Sequence, residues 1–319
     1  MRIRGSIAIL VIAFALVLAS GVAQASVPIQ TVASFNPAAG EFPEGVAVDV
    51  RGDAYVSLIM PVREIRKIDP SGNQSVLAHF AVPGIGPLGL AVDAAGKLYA
   101  AMSTFDPATR GVYRVRPDGS SFRLPGTDGI LFPNGVALDP LGNLYVTDSI
   151  GGSVWKVAPG VSAQQWFQSP LLTGTGAAGL GFPIGANGIA VQKHAIVVTN
   201  TEKAMVVRIP VRPDGSAGTP SVVADGPELF GSDGLALDVF GNAYVAVNTQ
   251  NTLVRLGPGG SLSTLATVAD GLDNPASLAF GTSRGDRKNL YITNFSLFSA
   301  SPTPGLLKAA VGVPGQPLT

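Results

Sequence analysis

The residues of this 319-residue chain that are best suited to chemistry open six copies of one short motif. Each copy reads X-Gly-aliphatic-Ala, with Ser in place of Gly in the last copy, and only X changes its chemical type from copy to copy. A position used only for packing would favour one residue type throughout, so the variation at X indicates a functional role. The six X residues are Glu44, Leu88, Asn134, Asn187, Asp233 and Ala276.

Four of the X residues are oxygen donors, and their chemistry predicts a bound cation. Burying the carboxylates of Glu44 and Asp233 together is costly unless a positive charge neutralises them. Calcium prefers carboxylate and carboxamide oxygens, whereas zinc favours His and Cys, and the chain has two His and no Cys. We therefore predict Ca²⁺ at Glu44, Asn134, Asn187 and Asp233, with room left for a second divalent ion. The alternative is four solvated polar side chains at the mouth of a loop.

The X residues also mark a repeat, and the repeat predicts the fold. Successive X residues lie 44, 46, 53, 46 and 43 positions apart. Each unit reads as a strand, a Gly-bearing turn, a second strand with an aromatic or β-branched residue, and a third strand with a basic residue between apolar ones. A Pro/Gly turn and a fourth short strand follow. Units of about 45 residues with four antiparallel strands are typical of propeller blades, so we predict an all-β, six-bladed β-propeller.

The two ends of the repeat region are expected to close this ring. Residues 29–35 resemble a fourth strand but precede the first unit, and the last unit stops after a third strand at Leu306–Lys308. We therefore predict that the N-terminal strand completes the last blade, which removes an open sheet edge. The period is too long for a β-helix and too regular for a sandwich. First strands line the axis of a propeller, so the X residues are expected at one mouth of its channel.

On these motifs the chain resembles the regucalcin/gluconolactonase (senescence marker protein)-like superfamily of calcium-dependent six-bladed β-propeller hydrolases. In that superfamily a Glu, two Asn and an Asp from blades one, three, four and five hold the catalytic calcium. Glu44, Asn134, Asn187 and Asp233 match these four positions. The resemblance implies a hydrolase of lactones, esters or phosphotriesters, with calcium as a Lewis acid and Asp233 as general base or nucleophile.

The chain departs from the gluconolactonase pattern near the predicted calcium. Gluconolactonase-like members typically carry an Arg two residues before the blade-three Asn, where this chain has Phe132, so a sugar-acid lactone is not the expected substrate. Paraoxonase-like relatives use a pair of His near the site, whereas His79 and His194 are expected at the surface. An apolar wall predicts a substrate with an alkyl or aryl part, and its members are Leu88, Phe132, Phe182, Phe230 and Met102.

Further residues are expected around the same mouth. The second strands return to it, and residues near their ends are candidates to support the calcium ligands: Ser57, Asp148, Asn200, Asn248 and Asn294. The alternative is that these residues only cap the ends of strands. The longest unit contains a Gly/Pro-rich stretch, Ser169–Gly185, which we interpret as a lid or specificity loop over the metal mouth.

Two other functions fit the same repeats. A propeller binding module of the NHL type needs neither a metal nor catalysis, and it would leave the four donors without a purpose. A strictosidine-synthase-like enzyme is a third reading, although such proteins have lost much of the calcium set that this chain retains. Dependence of thermal stability on calcium would separate the hydrolase from the binding module.

Composition supports a globular protein that acts on a small molecule. A hydrophobic fraction of 46% excludes disorder, and 21 basic against 21 acidic residues argue against a nucleic-acid partner. The absence of Cys excludes disulfides and thiolate chemistry. The 40 Gly and 25 Pro residues suit many tight turns between short strands.

The N-terminus is predicted to be a targeting segment. Arg2 and Arg4 precede an apolar run, Ile7–Leu18, and a small-x-small pattern ends at Ala25. This is typical of a signal peptide over residues 1–25, and the apolar run is short for a membrane anchor. The expectation is a single domain over residues 26–319, exported to the periplasm or medium as a monomer without a membrane or nucleic-acid partner.

Overall fold

The chain folds into six four-stranded antiparallel sheets, five of them built from one sequence repeat and the sixth from the last repeat and the N-terminal strand. A computed structural model describes residues 26–319, and the predicted signal peptide lies outside the described residues. The first strands of neighbouring sheets contact one another around a closed ring, from the first sheet to the sixth and back. The prediction of an all-β, six-bladed β-propeller is therefore confirmed.

The two inner strands of each blade are its most buried. The first strands line the axis: β2 (Pro43–Val48), β6 (Gly86–Val92), β10 (Pro133–Leu138), β14 (Ala186–Gln192), β18 (Ser232–Leu237) and β22 (Pro275–Phe280). The second strands are β3 (Ala54–Leu58), β7 (Leu98–Ser103), β11 (Leu144–Asp148), β15 (Ala195–Asn200), β19 (Ala243–Val247) and β23 (Asn289–Asn294).

The two outer strands complete each blade. The third strands are β4 (Glu64–Ile68), β8 (Gly111–Val115), β12 (Ser153–Val157), β16 (Met205–Pro210), β20 (Thr252–Leu256) and β24 (Gly305–Ala310). The fourth strands are β5 (Gln74–His79), β9 (Ser121–Arg123), β13 (Gln164–Gln168), β17 (Ser221–Asp225), β21 (Leu262–Ala266) and, for blade six, β1 (Ile29–Ser34). Strand β1 pairs antiparallel with β24, which confirms the predicted closure by the N-terminal strand.

Short 3₁₀ turns connect several strands. They span Pro37–Ala39, Thr127–Gly129, Pro170–Leu172, Pro227–Leu229, Asn248–Gln250 and Val268–Asp270. None of the helical segments found between residues 26 and 319 is long and apolar enough to cross a membrane.

The glycine of the repeated motif is required by the packing of first strands around the axis. A Cβ on Gly45 would lie 2.2 Å from the carbonyl oxygen of Leu88, and one on Gly188 would lie 2.3 Å from that of Asp233. No side chain fits at such a distance, so only glycine lets neighbouring blades approach this closely. The register between the first and second strands of each blade also shifts at this motif, as between Pro43 and Val46.

Apolar clusters lie between adjacent blades and hold the ring together. The cluster between blades one and two contains Tyr55, Ile65, Leu98 and Met102, and equivalent clusters occupy the other interfaces. At the end of the channel away from the X residues, the final residues Gln316–Thr319 cross the opening and help to line a cavity of about 600 Å³. The fold thus leaves the two ends of the axis chemically different.

Candidate functional site

Six short stretches of first strand bring the X residues to one end of the axis. Glu44, Asn134, Asn187 and Asp233 line the same small axial cavity of about 50 Å³. Glu44 is 9% exposed, and the two asparagines are each 6% exposed. The structure therefore brings together all four residues that the sequence predicts as calcium ligands. Leu88 and Ala276 occupy the equivalent position in blades two and six, and both belong to an apolar cluster beside the cavity.

The floor of this cavity is aliphatic. Two residues beyond X, every first strand contributes an apolar side chain to the cavity wall. These six are Val46, Leu90, Val136, Ile189, Leu235 and Leu278. Water and ions therefore meet a nonpolar barrier directly below the ring of oxygen donors.

The two carboxylates of the ring are held in an unfavourable environment. Burial raises the pKa of Glu44 well above its ordinary value, and the charge of Asp233 raises it further. Burial raises the pKa of Asp233 to about 8, although hydrogen bonds from Asn187 and from the Gly234 N–H act to lower it. No basic side chain lines the cavity. Two carboxylates without a counter-charge make this ring a place where a cation is stabilising.

The two asparagines are oriented by hydroxyl groups of the following strand. The Nδ2 of Asn134 donates to Ser149 Oγ at 3.2 Å, and that of Asn187 donates to Thr201 Oγ1 at 3.0 Å. Each hydroxyl donates onward to a carbonyl of the next blade, that of Ala186 or Ser232. Because the amide nitrogens are engaged in this way, the carboxamide oxygens are left to bind a ligand.

A second set of hydroxyls ties the backbone of the ring together. Ser57, Thr147, Thr199 and Thr293 each donate to the carbonyl oxygen of the X residue in the next blade, at 2.6 to 2.7 Å. Blades two and five carry alanine there, Ala101 and Ala246, and lack this bond. The hydroxyls fix the spacing of the ligand-bearing strands.

Of the five residues expected to support the ligands, only Ser57 contacts the ring. Asp148 accepts hydrogen bonds from the backbone N–H groups of Leu131 and Phe132, at 2.9 and 3.0 Å. The other three likewise bond to loop backbone around the mouth: Asn200, Asn248 and Asn294. They position the loops and not the ligands. Sequence reasoning missed Thr147, Thr199 and Thr293, each of which lies one place before a predicted residue along its second strand.

An apolar cluster surrounds the mouth of the cavity. Its buried members are Ile59, Leu88, Phe132, Ile184, Ala276 and Phe295, with Phe42 and Phe182 partly buried beside them. Phe105, which the sequence did not single out, completes an aromatic group. Its ring centroid lies 5.9 Å from that of Phe132 and 5.3 Å from that of Phe182. Phe105 is 55% exposed and is therefore available to a ligand.

Two of the five residues predicted for the apolar wall are not members of the apolar cluster. The expectation for Met102 is wrong, because its side chain is fully buried in the core between blades one and two and cannot reach a ligand. Phe230 is partly exposed before β18 and is not a member of the apolar cluster. Both histidines lie at the surface as expected: His79 ends the outermost strand of blade one, and His194 is in the β14–β15 turn.

The long insertion Ser169–Gly185 is held down by a buried acid. The carboxylate of Glu202 accepts hydrogen bonds from the backbone N–H groups of Thr175, Gly176 and Ala178. Burial alone would raise the pKa of Glu202, but these donors lower it overall. The carboxylate therefore stays ionised and keeps the segment over the mouth.

The comparisons with known proteins agree with this fold. Residues 183–296 match the family model described as the SMP-30/Gluconolactonase/LRE-like region. None of the curated proteins compared with the chain matches it significantly.

Solved structures extend the likeness to almost the whole chain. A gluconolactonase from Xanthomonas campestris is 18% identical, with a TM-score of 0.66, 90% of this chain and 89% of that chain covered. A calcium-binding regucalcin from Agrobacterium tumefaciens is 18% identical, with a TM-score of 0.68 and coverage of 92% and 99%. A luciferin-regenerating enzyme is 17% identical, with a TM-score of 0.69 and coverage of 91% and 97%. The resemblance of this chain to the regucalcin/gluconolactonase family, drawn first from its six motifs, is confirmed.

Proposed function

We propose that this protein is a calcium-dependent hydrolase of lactones or esters. The observation that carries the proposal is the ring of oxygen donors. Glu44, Asn134, Asn187 and Asp233 line one axial cavity, and two of them are carboxylates with raised pKa values and, among residues 26–319, no basic neighbour in the cavity wall. Carboxylate and carboxamide oxygens are the donors that calcium prefers. The likeness to gluconolactonase and regucalcin structures supports the same function.

The residues of the ring would divide the work. Calcium bound there supplies Lewis-acid polarisation of a substrate carbonyl or phosphoryl oxygen. Asp233 would accept a proton from water or attack the carbonyl carbon, as a carboxylate beside the reacting group can do. Ser149 and Thr201 keep the asparagine oxygens aimed at the ligand. The aliphatic floor excludes water from below, which strengthens electrostatic interactions in the site.

The wall of the mouth favours a substrate with an alkyl or aryl part. Phe105, Phe132 and Phe182 form one aromatic group, with ring centroids 5.2 to 5.9 Å apart, and Phe105 is its exposed member. Aromatic rings of this kind bind apolar groups by burial and by edge or stacked contact. A polyhydroxylated sugar acid would find few partners on this surface, so lipophilic lactones and aryl esters are the first substrates to test.

The decisive experiment measures metal dependence and turnover together. The mature protein is screened against lactones, aryl esters and phosphotriesters, with added Ca²⁺ and with a chelator, while thermal unfolding is followed under both conditions. We expect calcium to raise the melting temperature and to be required for hydrolysis. A melting temperature unchanged by chelation, together with no turnover, would instead indicate a binding module without catalysis.

A further inference from the structure

Blade four differs from the other five at the position that fills the space between blades. In five blades a tyrosine of the second strand pairs with a basic residue of the third. These pairs are Tyr55–Lys67, Tyr99–Arg114, Tyr145–Lys156, Tyr244–Arg255 and Tyr291–Lys308. In blade four the partner of Arg208 is Val197. An aromatic ring that occupies every other interface is therefore missing here.

The acid that accompanies the tyrosine is missing as well. In blade five, for example, the Tyr244 hydroxyl donates to Asp238 at 3.3 Å, and the corresponding residue of blade four is Gln192. Gln192 Oε1 accepts a hydrogen bond from Arg208 Nε at 3.1 Å. Within residues 26–319 no carboxylate forms an ion pair with Arg208. Gln192 thus orients the guanidinium group through Nε. The positive charge of Arg208 is not neutralised by a carboxylate of these residues.

These two replacements leave a cavity of about 440 Å³ between blades four and five. Its polar lining consists of Gln192, Lys193, His194 and Arg208, and no acidic residue lines it. The neighbouring acid Asp238 is fully buried and is occupied by backbone and side-chain donors of its own turn. The remaining wall is largely aliphatic. A volume of this size is in the range of small-molecule binding pockets.

We propose that this cavity binds a small amphipathic carboxylate, with the carboxylate at Arg208 and an alkyl or aryl tail against the aliphatic wall. The guanidinium group suits a carboxylate because it presents parallel N–H donors. Lys193 adds positive charge at the exposed rim. Valine in place of tyrosine provides the space for the tail. The site lies at the β14–β15 turn, at the opposite end of the first strands from the calcium ligands, and it is independent of the proposed hydrolase function.

The test is a binding titration of octanoate by calorimetry, with octanol and acetate as matched ligands that lack the charge or the tail. Titrations are made with calcium and with a chelator, since a carboxylate bound at the axial ring would require the metal. We expect saturable octanoate binding that is at least tenfold tighter than that of either control ligand and unaffected by chelation.

Variants locate the binding. Val197→Tyr restores the ring found in the other blades and should weaken octanoate binding at least tenfold. Arg208→Gln should do the same, and Gln192→Asp should weaken it by giving Arg208 an internal carboxylate. Arg255→Gln, the same change in blade five, is the control and should bind as the unmodified protein does.

The proposal is overturned if octanoate binding is absent or needs calcium, if octanol binds equally well, or if Arg208→Gln binds within twofold of the unmodified protein. Arg208→Gln and Gln192→Asp leave the buried apolar side chains unchanged, so the test stands even where Val197→Tyr does not fold.

Discussion

Acidic side chains lie at both ends of the first strands, but the hydrogen-bond donors around them differ. Strand β2 begins near Glu44 and is followed by Asp49, and strand β18 holds Asp233 and is followed by Asp238. All four are largely buried, but Asp49 accepts two backbone N–H bonds and a hydroxyl bond from Tyr55, whereas nothing cationic lines the cavity at Glu44. Burial alone does not distinguish them. The turn acids accept more hydrogen bonds, three at Asp49 and four at Asp238, whereas Asp233 is reached only by Asn187 and the Gly234 N–H.

The largest expected effect comes from exchanging the acid at each end for its amide. Asp233→Asn should lower kcat for a lactone or aryl ester by roughly 10³-fold or more, with the fold retained, because the base and one charged ligand are lost. Asp238→Asn, the matched variant at the other end of β18, should retain kcat. It should lower the free energy of unfolding by about 2 kcal/mol, since its turn loses acceptors. Equal turnover by the unmodified protein and Asp233→Asn would contradict the role proposed for Asp233.

The pH dependence of stability should differ with and without calcium. The pKa values of Glu44 and Asp233 are raised in the folded state, so the folded protein binds more protons than the unfolded chain between about pH 4 and 8. Without metal, stability is therefore highest at low pH in this window and falls as the carboxyls ionise. We expect the melting temperature in chelator to fall by roughly 5 °C from pH 5 to pH 8. Added calcium should remove most of that fall.

A flat profile in chelator would show that the carboxylates are not destabilising without metal. Asp238→Asn provides the control, because it leaves the ring intact and should keep the difference between chelator and calcium.

The smallest expected effect comes from removing a hydroxyl that orients one of the side chains proposed to bind calcium. Thr201→Val removes the hydroxyl that holds Asn187 and should weaken calcium affinity about tenfold, as measured by titration. Ser103→Ala is the matched change in blade two, where the X residue is Leu88 and the hydroxyl bonds only to the backbone of Pro133. Calcium affinity should be unchanged there. If both variants lost affinity equally, the hydroxyls would act on the fold and not on the asparagine.

Much of the fold could be predicted because each blade repeats the same local pattern. Strand order, blade number and closure by the N-terminal strand all follow from the spacing of the motif and from the avoidance of an open edge. The meeting of four oxygen donors in one axial cavity could also be predicted, since a single variable position in a constant motif is visible in the sequence. These donors come together because every first strand starts at the same end of the axis.

Side-chain direction was harder to predict. Met102 lies on β7 and turns into the core, although its strand ends at the mouth. Ser57 was predicted correctly, but Thr147 and Thr199 lie one residue before the predicted Asp148 and Asn200, and one step along a strand reverses the face on which a side chain lies. Successive side chains of a strand lie on opposite faces, and an alignment of repeats places each residue only to within one position. An error of one position therefore puts a side chain on the wrong face.

The sequence by itself determined the six-bladed ring and the four oxygen donors, because these depend on local periodicity and on residue type. Only the tertiary structure decided which side chains surround the donors. The aromatic group of Phe105, Phe132 and Phe182 joins three segments far apart in the chain. The cavity beside Arg208 exists because a tyrosine is missing from a contact between two blades. Contacts between blades depend on packing in three dimensions, which the spacing of a repeat does not encode.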